Sequence, residues 1–208
     1  MQNGKRNYHH GNLKETLIRT SLEMISEHGI QGFSVAKVAK KAGVAISAPY
    51  RHFPNRESLL AETGIVFLTE LTSRMRSAAT EAGHDRIERV ASVAGAYVQY
   101  ALEHNVSFQL FAAARESQLA AFHERSREMI QFLFTLTQEA VPEATWNELL
   151  ELMEALLALV QGFADMFHEG YFSQLNLTKE QITKRSAVAA KMLISGWNSC
   201  KKDEGKPL

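Results

Sequence analysis

The chain has 208 residues, 45% of them hydrophobic, and its 23 basic and 23 acidic side chains give a formal net charge of zero. That apolar content can fill one large helical core, or a small unit joined to a larger one, and it excludes a largely disordered chain. The most apolar stretch, Leu149 to Phe167, is interrupted by Glu151, Glu154 and Asp165, so no run of about 18 uncharged apolar residues exists and no membrane span or membrane partner is expected.

The zero conceals an asymmetry. Residues 1–60 hold nine Lys or Arg against four acids, a net +5, and the remainder balances this at −5. A basic head on an acidic body implies that one end meets a polyanion. The N-terminus carries Lys5, Arg6, Tyr8, His9 and His10 without the apolar core of a secretion signal. Cys200 is the only cysteine, which excludes an internal disulfide, and together these features predict a cytoplasmic protein. The neighbouring histidines His9 and His10 lack a nearby cysteine or carboxylate, so no metal or cofactor is expected.

Residues 1–11 read as a short basic arm. Asn12 with Glu15 forms a capping box opening a helix that points Leu17, Ile18, Ser21, Leu22, Met24 and Ile25 inward and closes at Gly29. The rest of the chain is organised around Ser34 to Phe53. Its apolar period, Val35, Val38, Ala39 and Ala42, stops at Gly43 and restarts at Ile46, which predicts two short helices joined by a tight turn. Ser34 is placed to cap the first. The polar side carries Lys37, Lys40, Lys41, Arg51 and His52 with no acid among them, a surface suited to phosphates. Pro49 disfavours helical geometry at Ala48, so the second helix is expected to start late or bend.

In order, a helix ending at Gly29, then Val-Ala-x-x-Ala-Gly-Val, Tyr-x-His-Phe and Arg-Glu-x-Leu-Leu, the first 60 or so residues resemble the TetR family of bacterial transcriptional regulators. The resemblance implies an all-α chain: an N-terminal three-helix domain with a helix-turn-helix over 1–54, and a helical ligand-binding and dimerisation domain over 55–208. It implies a sequence-specific DNA-binding regulator, more a repressor than an activator, gripping a pseudo-palindromic operator in double-stranded DNA as a homodimer. Ile46, Ser47, Ala48, Tyr50 and Arg51 then belong to the recognition helix. Tyr50, His52, Lys37 and Arg56 fall to phosphate contact, and Lys5 and Arg6 to the minor groove.

Asn55 is placed to cap a helix to about Ala79, and Asp85 with Glu88 opens another, to about His104. A turn over Val106 to Ala114 leads to Ser117, which would cap a helix reaching Ala140 before Pro142. Thr145 with Glu148 and Thr178 with Gln181 open the last two helices. The first of these is apolar nearly all round, as is a helix at the centre of a large core or one between its own core and a partner. By the resemblance these two helices form the dimer interface, with Ala155, Ala158, Gly162, Leu193 and Trp197 as candidates. Phe67, Tyr97, Phe108, Phe111, Phe122, Met129 and Phe163 are candidates to line a cavity for an unidentified small apolar effector; Gln161 and Asp165 are a polar pair that would orient a ligand or bond across the dimer.

Catalysis is not expected. His123-Glu124 and His168-Glu169 begin like zinc-protease motifs, but Arg127 and Phe172 stand where the second histidine belongs. A helical adaptor that binds only protein is the alternative function; it would keep the dimer helices but has no use for the basic head.

Overall fold

The computed structural model describes residues 13–104, 110, 111, 114 and 119–204, with side chains as far as Lys201; among them there are helices and turns and no strand. Helix α1, Leu13–His28, buries the six predicted inward residues. Ser21 is tolerated there because its hydroxyl donates to the Leu17 carbonyl at 2.8 Å. Gly29, at φ +66°, ends the helix and leads into a 3₁₀ turn, Ile30–Gly32. Asn12, Lys5 and Arg6 lie outside the described residues.

Most of the predicted caps form. Ser34 accepts the Lys37 N–H at 3.2 Å and starts α2, Val35–Lys41. Asn55 and Ser58 cap each other reciprocally at the start of α3, Arg56–Glu81. Asp85 accepts the N–H groups of Ile87 and Glu88 before α4, Arg86–His104. The Glu88 carboxylate does not complete that box; it accepts from Lys191 at 3.0 Å instead. Helix α5, Ala120–Ala140, starts from Leu119 with no side-chain cap. The expected cap, Ser117, lies outside the described residues, as does Phe108, and Leu110, Phe111 and Ala114 are helical where a turn was expected.

Helix α6, Trp146–His168, carries the Thr145–Glu148 box, and α7, Lys179–Glu204, the Thr178–Gln181 pair. Lys201 of α7 also pairs with Glu148. That ion pair, with bonds from Thr145, holds the Glu148 carboxyl down at about 2.

Packing follows from α3 and α4. Helix α4 touches α3, α5, α6 and α7, while α1 lies against α2, α3 and α4. One apolar cluster runs from Leu17 and Phe33 through Leu59, Leu60, Leu71 and Met75 to Leu149 and Ile194. A second joins Val98 and Leu102 of α4 to Val160 of α6 and to Ile182 and Ala190 of α7. A third of the way along α3, Gly64 lets that helix approach its neighbours: a Cβ there would stand 2.9 Å from the Ala114 Cβ and 3.0 Å from the Phe122 ring. Overpacking of this kind costs about 1–3 kcal/mol. Gly64→Leu should therefore lower the unfolding free energy measured by urea titration by an amount in that range.

Candidate functional site

The head is built on α2. Val35, Val38 and Ala39 are buried against α1, which turns Lys37, Lys40 and Lys41 outward. Gly43 supplies the left-handed turn at φ +70°, with its N–H bonded to the Lys40 carbonyl and that of Val44 to the Ala39 carbonyl.

The expected second helix does not form as a regular α-helix. Ala48 keeps helical angles, yet Pro49 has no N–H to donate to the Ala45 carbonyl. The chain tightens instead. Ala48 bonds Ala45, Arg51 bonds Ala48 and His52 bonds Pro49, making a 3₁₀ turn over Pro49–Arg51. This turn still gathers the predicted contact residues. Ile46 is 64% exposed and Tyr50 53%, and Ser47, Arg51 and His52 are exposed beside them. Ala48 is half-buried. Pro49 and Phe53 are buried beneath and anchor the turn to the core.

The charges differ from expectation in one respect. The basic face is not free of acids, because α1 brings two to it: Lys41 lies 2.7 Å from Glu27 and 3.7 Å from Glu23. The hydrogen bond between them holds the Glu27 carboxyl below its ordinary range and raises the Lys41 ammonium. Lys37 donates from its ammonium to the Gly32 carbonyl at 3.1 Å. Arg56, first residue of α3, lies over the Phe33 ring at 5.4 Å, beside the free N–H groups of a helix start. Lys40 and Arg51 are exposed and form no ion pair among the described residues.

The body holds an apolar cavity of about 100 Å³ between α3, α4, α5 and α6. Met75, Tyr97, Met129, Leu133, Met153 and Val160 contribute to its wall. Of the predicted lining residues that the structure describes, only Tyr97 and Met129 are there. Phe67 packs 5.1 Å from Tyr100 and 5.4 Å from Phe111, and Phe111 packs on Phe122, so three of the expected aromatics fill a separate part of the core. Phe163 stacks on Phe172 at 5.9 Å, on the α7 side of α6. The aromatics pair with one another, and the flexible thioethers and leucines border the gap. The helical period of Met153, Leu156, Leu157 and Val160 was the available signal for the missed wall.

Tyr97 also joins the predicted polar pair. Its hydroxyl donates to Gln161 Oε1 at 3.0 Å, and Gln161 Nε2 donates to Asp165 Oδ1 at 2.9 Å. Burial, reinforced by the Asp165 charge, pushes the phenol up to about 12, so it stays protonated through the physiological range.

On the outer face of α6, Ala155 and Ala158 are exposed and a Cβ on Gly162 would meet nothing within 4 Å. Leu193 and Trp197 of α7 are both half-buried, as Gly162 is, and Trp197 packs against the main core under Lys201. The exposed apolar residues of α7 are Val188 and Met192, at 49% and 68%. Among the described residues no helix is long and apolar enough to cross a membrane, and no three His, Cys, Asp or Glu cluster as metal ligands would.

An exposed helix-turn-helix head on an all-helical body defines a DNA-binding regulator. Residues 17–63 match the family model described as bacterial regulatory proteins, tetR family, and residues 90–189 the tetracyclin repressor-like C-terminal domain. The chain belongs to the TetR family of transcriptional regulators. Its relatives include the uncharacterized HTH-type transcriptional regulator YobS of Bacillus subtilis, 23% identical over 89% of this chain and 93% of that one. In fold it is similar to a Rhodococcus protein of unknown function, with a TM-score of 0.71, 23% identity and coverage of 92% of this chain and 98% of the other. It is also similar to Bacillus subtilis FadR, solved in complex with stearoyl-CoA, with a TM-score of 0.62, 16% identity and coverage of 88% and 98%.

The Ser34 cap fixes the entry to α2 and thereby the direction of its lysines. Ser34→Ala should lower stability by about 1 kcal/mol in urea titration, the usual effect of losing an N-cap oxygen.

Proposed function

We propose that the chain is a cytoplasmic, homodimeric repressor of transcription that releases a pseudo-palindromic operator when a small apolar molecule enters its body. The reading divides it into a DNA-binding unit over 1–54 and a regulatory and dimerisation unit over 55–208. The observation that carries it is the exposure of Ile46 and Tyr50 on a turn anchored by buried Pro49 and Phe53. Apolar side chains exposed together beside cations, on a turn anchored from below, suit a surface that meets a nucleic acid.

Ile46, Ser47, Ala48 and Arg51 face base edges in this reading, and Lys37, Tyr50, His52 and Arg56 hold phosphates. Two such heads would enter successive major grooves about 34 Å apart. The dimer face is the small-residue strip Ala155, Ala158 and Gly162 with Val188 and Met192. Its support is that these groups are open within one subunit. FadR is solved with stearoyl-CoA, whose acyl chain is apolar; that supports a body that accepts an apolar group, for which the cavity beside Tyr97 is the proposed place here. Ligand binding would weaken operator affinity by a coupling of about 1–3 kcal/mol.

In gel-shift titrations against the DNA flanking its own gene, Arg56→Ala and Lys37→Ala should weaken binding to every sequence alike. Each should make the salt slope shallower by about 0.9. Ser47→Ala should instead change which base is preferred. Unchanged binding in all three would overturn the docking. Gly162→Leu should leave the single subunit folded, by circular dichroism, and shift the light-scattering mass from dimer to monomer; an unshifted mass would move the interface elsewhere.

A further inference from the structure

We propose that the α6–α7 face selects a second copy of this chain by opposite charge: the two-fold axis crosses the helices near Ala158 and sets Glu151 of each subunit against the partner's Arg185. This rests on the reading of that face as the dimer interface.

The face has two unlike ends. Helices α6 and α7 run antiparallel, because Lys201 near the end of α7 pairs with Glu148 at the start of α6, while Val160, farther along α6, shares a cluster with Ile182 and Ala190. Glu151, Ala155, Ala158 and Gly162 recur at helical spacing on one face of α6, and Arg185, Val188 and Met192 on one face of α7. Glu151 and Arg185 are exposed, and neither forms an ion pair among the described residues. Sixteen residues before Lys201, Arg185 stands level with about Ala164, roughly 20 Å along the helices from Glu151 at about 1.5 Å per residue. The two charges therefore cannot meet within one subunit. Glu154, exposed close to Glu151, makes that end the more acidic; at the other end Lys184 is engaged by Glu180 and Asp165 by Gln161.

A two-fold axis that lays this face on its copy runs either along the helices or across them. An axis along them puts like end on like end, and brings Glu151 and Glu154 towards the same acids of the other subunit. An axis across them reverses one helix pair against the other. Glu151 lies seven residues before Ala158 and Arg185 seven before Met192, so each stands about 10 Å from the crossing, on opposite sides of it. Reversal carries the partner's Arg185 level with Glu151, the partner's Met192 level with Ala158 and the partner's Val188 level with Ala155. Side chains left 68% and 49% exposed in one subunit thus meet alanines, which leave them room. Each contact of a two-fold interface occurs twice. Ion pairs at its edge add little affinity, whereas like charges in the same place are costly, so these charges choose the partner.

The test is sedimentation equilibrium of the full chain at low salt. Glu151→Arg and Arg185→Glu each set like charges together twice, and each should raise the dimer dissociation constant about tenfold or more. Mixed in equal amounts, the two variants should form dimers of native affinity, since each chain offers the charge the other lacks. The double variant Glu151→Arg/Arg185→Glu should form them alone. High salt should shrink the differences, because the charges are exposed. Circular dichroism should show every variant folded, since both sites face solvent in the single subunit.

Reversals without effect, or weakened dimers that neither mixing nor the double variant restores, would overturn the crossed pairing while leaving the homodimer. A native chain that sediments as a monomer would overturn the dimer reading itself and the proposal with it.

Discussion

The structure depends on one continuous apolar cluster that α3 carries from the head into the body. Leu59 and Leu60, in the first turns of that helix, share this cluster with Phe33 and Phe53; Leu71 and Met75, three turns on, share it with Val90, Val93 and Leu136. The head therefore has no core independent of α3. Gly64 tightens the constraint by admitting Ala114 and Phe122 into contact with the helix at the point where head packing gives way to body packing. Close-packed interiors transmit displacement because they hold little free volume. A change at the cavity wall, to which Met75 belongs, thus has a rigid path to Arg56 at the far end of the same helix.

Much of this architecture was legible in the sequence because it rests on local chemistry. The box at Thr145 and Glu148 and the pair at Thr178 and Gln181 satisfy N–H groups within a few residues of themselves, so their spacing alone announces helix starts. Glu88 shows where such reading fails. Its spacing from Asp85 is right for a box, yet Lys191, from a helix a hundred residues away in sequence, supplies a charged partner that outcompetes a backbone N–H. The acids that reach Lys41 were hidden for the same reason: Glu23 and Glu27 belong to another helix, and only the crossing of α1 and α2 brings them near.

The cavity was harder still. Apolar periodicity tells which face of a helix is inside but not which inside residues border a gap. Phe67, Phe111 and Phe122 sought one another, as rings with complementary faces and edges do, and took their bulk away from the place where space was left. Gln161 and Asp165 stood out as polar residues on an apolar helix. What could not be read was the third member, Tyr97, 64 residues earlier on α4, which turns an isolated pair into a directed chain of hydrogen bonds.

The pairing of Lys41 with two carboxylates also bears on how the head moves along DNA. Its effective valence is smaller than a count of lysines suggests, so fewer condensed counterions are displaced when it settles on an arbitrary stretch of duplex. Weak indiscriminate holding shortens each visit to the wrong place. The burden of discrimination then shifts from the ionic atmosphere to direct contact with base edges, which a single base change alters.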